Sequence, residues 1–149
     1  MIRIERCREV REDWLDLCLA LWPGSTREEH AQHARGICAE PARFLVLLAH
    51  ADDGGSARGF AEAALRRDYV NGTDSSPVLF LEAIYVAPGA RRRGVARALA
   101  DAVAVWGREQ GCREFASDAL LDNHDSHRFH RAIGFAETER VVYFRRELA

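Results

Sequence analysis

The chain has 149 residues with 21 Lys and Arg against 23 Asp and Glu, a formal net charge of −2, and this length fits a single domain over residues 1–149. With 48% hydrophobic and 30% charged residues, it has enough apolar mass for a core and too little charge imbalance for a disordered chain. No apolar run approaches the roughly 20 residues of a membrane helix, and basic residues are scattered rather than gathered on a nucleic-acid-binding face.

The N-terminal stretch MIRIERCREVRED is charged where a signal peptide carries its apolar region, so a cytoplasmic protein is expected. Residues 10–22 then place Val10, Trp14, Leu17, Cys18 and Leu21 on one helical face, and Pro23-Gly24 ends the helix. Ser25 or Thr26 is a cap for a second helix with Glu28 and Glu29 in its first turn, closed by Pro41. The run from Arg43 to Ala49 reads as a buried strand. Asp52-Asp53-Gly54-Gly55 has hairpin chemistry, with a returning strand from Arg58 to Arg67. A polar loop, 71–77, precedes an apolar strand, Val78 to Val86, broken only by Glu82. A long helix is expected from Gly94 to Gln110, with Val95, Leu99, Ala102, Val103 and Trp106 at helical spacing. A short strand at 113–118, a helix at 124–133 and a final strand from Thr138 to Arg145 complete the chain. The order β-α-α-β-β-β-α-β-α-β predicts an α/β protein with a mixed central sheet flanked by helices.

Two features carry chemistry. Arg91-Arg92-Arg93-Gly94-Val95-Ala96 lies between a buried strand and a helix start, where unpaired amides and the positive helix end favour a phosphate. Glu82 is a lone acid in a nine-residue apolar strand. An unpaired buried carboxylate is costly, so Glu82 is expected to face a cavity, water or a cation. Cys7, Cys18, Cys38 and Cys112 form no C-x-x-C pair and are expected as free, mostly buried thiols. Nothing completes a zinc site around His124, His127 and His130, or around His30 and His33, and no metal is expected.

The strand-loop-helix segment resembles the GNAT acyltransferase superfamily, whose R/Q-x-x-G-x-G/A loop cradles the pyrophosphate of acetyl-coenzyme A. The resemblance implies the GNAT fold and assigns coenzyme binding to Arg92, Arg93, Gly94, Val95, Ala96 and Arg97. It further implies a bulged strand in which Ile84, Tyr85 and Val86 pair with the pantetheine arm, and contact from Asn123. In the ending Phe129 to Phe135, His130 stands where the family usually has the tyrosine that protonates the departing thiolate. An imidazole there is either a proton donor or a packing residue.

The segments Leu21-Trp22-Pro23-Gly24, Asp68-Tyr69-Val70-Asn71-Gly72, Ala116-Ser117-Asp118 and Glu137-Thr138-Glu139-Arg140 are similar to the small dimeric aminoglycoside 6′-N-acetyltransferases, enzymes of antibiotic resistance. That resemblance implies a homodimer and a cationic amino-sugar substrate bound by Trp22, Tyr69, Glu82, Asp118 and Glu139. Where many members carry histidine after Leu-Trp-Pro-Gly, this chain has Ser25. Glu82 or Asp118 is then either the acceptor of the amine's proton or only a holder of the ammonium groups. Acetyl transfer to another small amine, a polyamine or a protein N-terminus remains the alternative reading.

Overall fold

The computed structural model describes residues 1–51 and 54–149; Asp52 and Asp53, half of the expected hairpin turn, lie outside the described residues. The elements are β1 (Arg3–Arg6), α1 (Glu12–Leu21), α2 (Arg27–Cys38), β2 (Phe44–His50), β3 (Gly59–Arg66), β4 (Val78–Val86), α3 (Val95–Glu109), β5 (Phe115–Ala116) and α4 (His124–Ala132). A single 3-10 turn, Pro88–Ala90, joins β4 to α3. The strands lie in the order β1-β2-β3-β4-β5, antiparallel except for the parallel pair β4–β5.

Helices cover both faces of this sheet, which is why β2 reads as a continuous apolar run rather than an alternation. On one face, Val95, Leu99, Val103 and Trp106 of α3 pack on Leu45, Leu47, Ala61, Ala63, Leu79 and Leu81. On the other, Trp14, Leu15 and Cys18 of α1 and Ala31, Ala34 and Ile37 of α2 pack on Val46, Leu48, Phe60 and Ala83. Of the two candidate caps, Thr26 closes the N-terminus of α2 in a reciprocal capping box with Glu29: its hydroxyl accepts from the Glu29 amide at 3.1 Å, and its own amide donates to the Glu29 carboxylate at 2.9 Å.

Two expectations are corrected. The strand expected over 113–118 shrinks to Phe115–Ala116, because only Leu79 and Phe80 of β4 pair with it. The expected final strand Thr138–Arg145 does not form; residues 135–149 carry neither helix nor strand. A strand requires a hydrogen-bonding neighbour, and the edge strand on that side, β5, is two residues long. Val142, Tyr143 and Phe144 consequently stand 75%, 80% and 91% exposed.

Candidate active site

The donor side of the site follows from the divergence of β4 and β5. β4 pairs with β3 along its whole length but with β5 only at Leu79 and Phe80, so its far edge opens toward Val86. A cleft of about 430 Å³ occupies this opening, lined by Ile84, Tyr85, Val86, Ala90, Arg91, Arg92, Gly94, Val95, Ala96, Arg97 and Phe129. Its floor is strand backbone and its end is the N-terminus of α3.

That helix start is left open to an anion. Its N-cap is Gly94 at φ 81°, no side chain caps it, and no acid sits in its first turn. The first amides of a helix have no intrahelical partner, and they aim the positive end of the dipole into the cleft. Arg92 also adopts positive φ, 64°, so the loop turns its amides through two left-handed residues close together. The arginines then divide. Arg92 lines the cleft, whereas Arg93, in the same loop, is exposed and not on the cleft wall. Arg91 folds back, donating from Nε to the Val86 carbonyl at 2.8 Å, and Arg97 donates to the Ala132 carbonyl at the end of α4. Asn123 lies off the cleft and caps α4, its side-chain oxygen accepting from the Ser126 amide at 3.1 Å.

The residues expected to meet the substrate lie on the α1–α2 face of the sheet. The β3–β4 register jumps from Glu62↔Ala83 to Ala63↔Leu81, which makes Glu82 the extra residue of a β-bulge. A bulge turns a side chain out of the regular alternation, and Glu82 is accordingly exposed rather than buried among its apolar neighbours. Its charge meets Arg66. Nε and Nη2 of Arg66 donate to Oε1 at 3.1 and 2.9 Å, and Nη2 also donates to Oε2 at 3.0 Å. The Arg66 guanidinium lies 3.5 Å from the centroid of the Phe80 ring.

Trp22 closes the end of α1, stacked on His30 at 6.0 Å and 23°, while its carbonyl accepts from His30 Nε2 at 3.0 Å. Tyr69 stands 76% exposed on the loop between β3 and β4. Glu114 ties that loop to β5, accepting from the Asp74 amide at 2.9 Å and from the Ser75 hydroxyl. Gly72 draws the C-terminal segment against it. A Cβ at this position would lie 2.2 Å from Thr138 Oγ1 and 3.8 Å from Glu139 Cβ, and its φ is 81°. Glu139 is thereby placed beside the Tyr69 loop, and Asp118 is exposed just beyond β5.

Three residues on this face lie outside the substrate site expected from the sequence: Glu62, like Glu82 a lone acid in an apolar strand, His33 and Arg66. Glu62 is 3% exposed and its Oε1 accepts from His33 Nε2 at 3.1 Å. The bond to the Glu62 carboxylate, partly opposed by burial, lifts His33 above the usual imidazole range. None of these sits in a motif, because their meeting depends on β3–β4 register and on the packing of α2.

The sequence and the fold both match a known family. The model of the acetyltransferase (GNAT) family covers residues 7–135. The chain belongs to the acetyltransferase (GNAT) family. Among curated relatives, it is 51% identical over 135 residues to an aminoglycoside N(6′)-acetyltransferase type 1 of Serratia marcescens, covering 91% of each chain. It is 50% identical over 135 residues to one from Stenotrophomonas maltophilia, covering 91% of this chain and 86% of that one. Its fold superposes on the aminoglycoside antibiotic 6′-N-acetyltransferase AAC(6′)-Ih from Acinetobacter baumannii with a TM-score of 0.92 at 43% identity, covering 100% of both chains. A second solved structure, AAC(6′)-Iy in complex with the bisubstrate analogue CoA-S-monomethyl-acetylneamine, gives a TM-score of 0.90 at 43% identity and covers 99% of each chain.

Within this GNAT fold, His130 sits between the rings of Phe129 and Phe135. Its Nδ1 lies 2.7 Å from the Ser126 carbonyl, which only accepts, so Nδ1 carries the proton of the neutral ring. Nε2 then accepts from the Ser117 hydroxyl at 2.8 Å. The four cysteines are free, and burial pushes the Cys18 thiol up to about 12. Burial also raises Cys7, Cys38 and Cys112, which suppresses the thiolate that a covalent acetyl carrier requires. Among the described residues, no group of three or more His, Cys, Asp or Glu is placed to hold a metal, and no helix is long and apolar enough to cross a membrane.

Proposed function

We infer that the chain is an aminoglycoside 6′-N-acetyltransferase that moves the acetyl group of acetyl-coenzyme A directly to the 6′-amine within a ternary complex. The observation that carries this reading is a cleft ending at an uncapped helix start, joined across β4 to a face bearing Glu82 and Trp22, in a chain about half identical to aminoglycoside N(6′)-acetyltransferases. Acetylation converts an ammonium into a neutral amide and removes one of the charges by which such an antibiotic binds, which is the basis of resistance.

The donor sits where β4 leaves β5. Arg92 and the amides of Gly94, Val95, Ala96 and Arg97 hold the pyrophosphate, with Arg93 adding charge to the loop from outside the cleft wall. The open edge of Ile84, Tyr85 and Val86 pairs with the pantetheine arm. The acceptor lies across the sheet, its sugar rings against Trp22 and Tyr69 and its ammonium groups toward Glu82, Asp118 and Glu139. Holding the two reactants in line supplies much of the acceleration. The thioester C–S bond breaks as the amide C–N bond forms; the amine loses a proton and the thiolate gains one. We assign the thiolate's proton to His130 acting through the Ser117 hydroxyl, which shares a 2.8 Å hydrogen bond with its Nε2.

We further propose a homodimer. The apolar residues Val142, Tyr143 and Phe144 on a segment that finds no strand partner in its own chain are what a second copy would cover. Four free cysteines suit the reducing cytoplasm. The test of the function is coenzyme A release with kanamycin as acceptor, followed by location of the acetyl group in the product. Acetyl on the 6′-nitrogen is expected; acetyl on any other amine, or no turnover with intact acetyl-coenzyme A binding, contradicts the reading.

A further inference from the structure

Glu82 is the acid that the sequence singles out for the substrate's cationic amine, yet in the folded chain it already has a cation. Arg66 holds it with three hydrogen bonds of 2.9 to 3.1 Å, two on Oε1 and one on Oε2. A carboxylate offers about four lone-pair positions, so one, on Oε2, is left for a ligand. The guanidinium is anchored as well as paired, because it lies 3.5 Å over the ring of Phe80, a residue 4% exposed. The guanidinium thus sets a positive charge directly against the carboxylate. The neighbouring carboxylate on the same face, Glu62, has its own basic partner in His33.

We propose that Arg66 is a positioning residue that neutralises Glu82, so that the acceptor amine is held as a hydrogen-bond donor to an already paired carboxylate and not as an ion pair. This rests on the assignment of Glu82 to the acceptor site and specifies how that acid works. A full negative charge beside the reacting nitrogen would stabilise the ammonium, which has no lone pair and cannot attack. A positive guanidinium next to it tips the bound nitrogen toward the free amine. Glu82 then orients the nucleophile, and its proton leaves toward the exposed Asp118 rather than toward a carboxylate whose lone pairs are occupied. The polycation's remaining charges are met by acids without such a clamp, at Asp118 and Glu139 on the rim.

The experiment separates KM from kcat with kanamycin as the acceptor. In R66Q the unmasked Glu82 traps the ammonium: KM is expected to fall about fivefold and kcat about tenfold. R66M, which keeps an unbranched side chain without the charge, is expected to behave the same way. R66K restores the charge and returns kcat to within about threefold of the parent. In an E82Q background, R66Q has no further effect on KM. A rise in KM with unchanged kcat in R66Q and R66M, or no change in either constant, overturns the proposal while leaving Glu82 in the acceptor site. If E82Q by itself leaves KM and kcat untouched, the assignment of Glu82 fails and the proposal falls with it.

Discussion

Glu62 and Glu82 lie one strand apart on the same face of the sheet, and their environments set their roles. Glu62 is 3% exposed and hydrogen-bonded to His33; Glu82 is lifted out by the bulge and clamped by Arg66. The His33 pair has a consequence for stability. Its folded pKa is raised by the hydrogen bond to Glu62, so the contribution is fully present below the unfolded histidine value, near 6.5, and is lost as pH rises through the folded value. The imidazole is more than half exposed, so solvent screening keeps the contribution below about 1 kcal/mol. H33Q is therefore expected to lower the melting temperature more at pH 5 than at pH 9. Equal losses at both pH values would show that His33 is held by packing alone. Glu82 was visible in the sequence because one acid interrupts an apolar strand. Glu62 carries the same signal within β3, whereas Arg66 does not, since a charge ending a strand acquires meaning only through cross-strand register.

At the scale of elements, the loop between β4 and α3 makes the strongest separate claim. Among the described residues nothing lies within 4 Å of a Cβ built on Gly94, so steric room is not what requires glycine there; φ of 81° is. An alanine in that left-handed conformation costs roughly 1–2 kcal/mol. G94A is expected to raise KM for acetyl-coenzyme A about tenfold while leaving KM for the aminoglycoside unchanged. An unchanged acetyl-coenzyme A KM would remove the loop from the phosphate site. This element was legible because a short motif sits between a strand and an amphipathic helix, and both have strong periodicity. The cleft itself was not legible, since it arises where β4 and β5 part after two paired positions. The division of labour among the arginines was also hidden: Arg91 and Arg97 hold backbone carbonyls at Val86 and Ala132, and only packing sorts them from Arg92.

At the scale of the molecule, a mixed sheet flanked by helices follows from patterning, and the departures lie in the shortened β5 and in the C-terminal segment. Residues 138–145 have the composition of a strand but pair with no strand among the described residues. Propensity names the conformation a segment favours, whereas a strand exists only with a neighbour. Removing residues 140–149 is accordingly expected to convert a dimer into a monomer by light scattering, with the cleft and acetyl-coenzyme A binding retained. A full-length chain that elutes as a monomer at micromolar concentration would leave those apolar residues without their proposed cover.

The central claim concerns a single nitrogen, and it is tested most directly by two acceptors that differ only there. Neomycin carries a 6′-amine and paromomycin a 6′-hydroxyl on otherwise identical molecules. Coenzyme A release under matched conditions is expected to be fast with neomycin and lower by at least about a hundredfold with paromomycin, since a hydroxyl is the poorer nucleophile and the other amines lie out of line. Comparable rates on the two would contradict 6′-N-acetylation and place the reacting nitrogen elsewhere on the sugar.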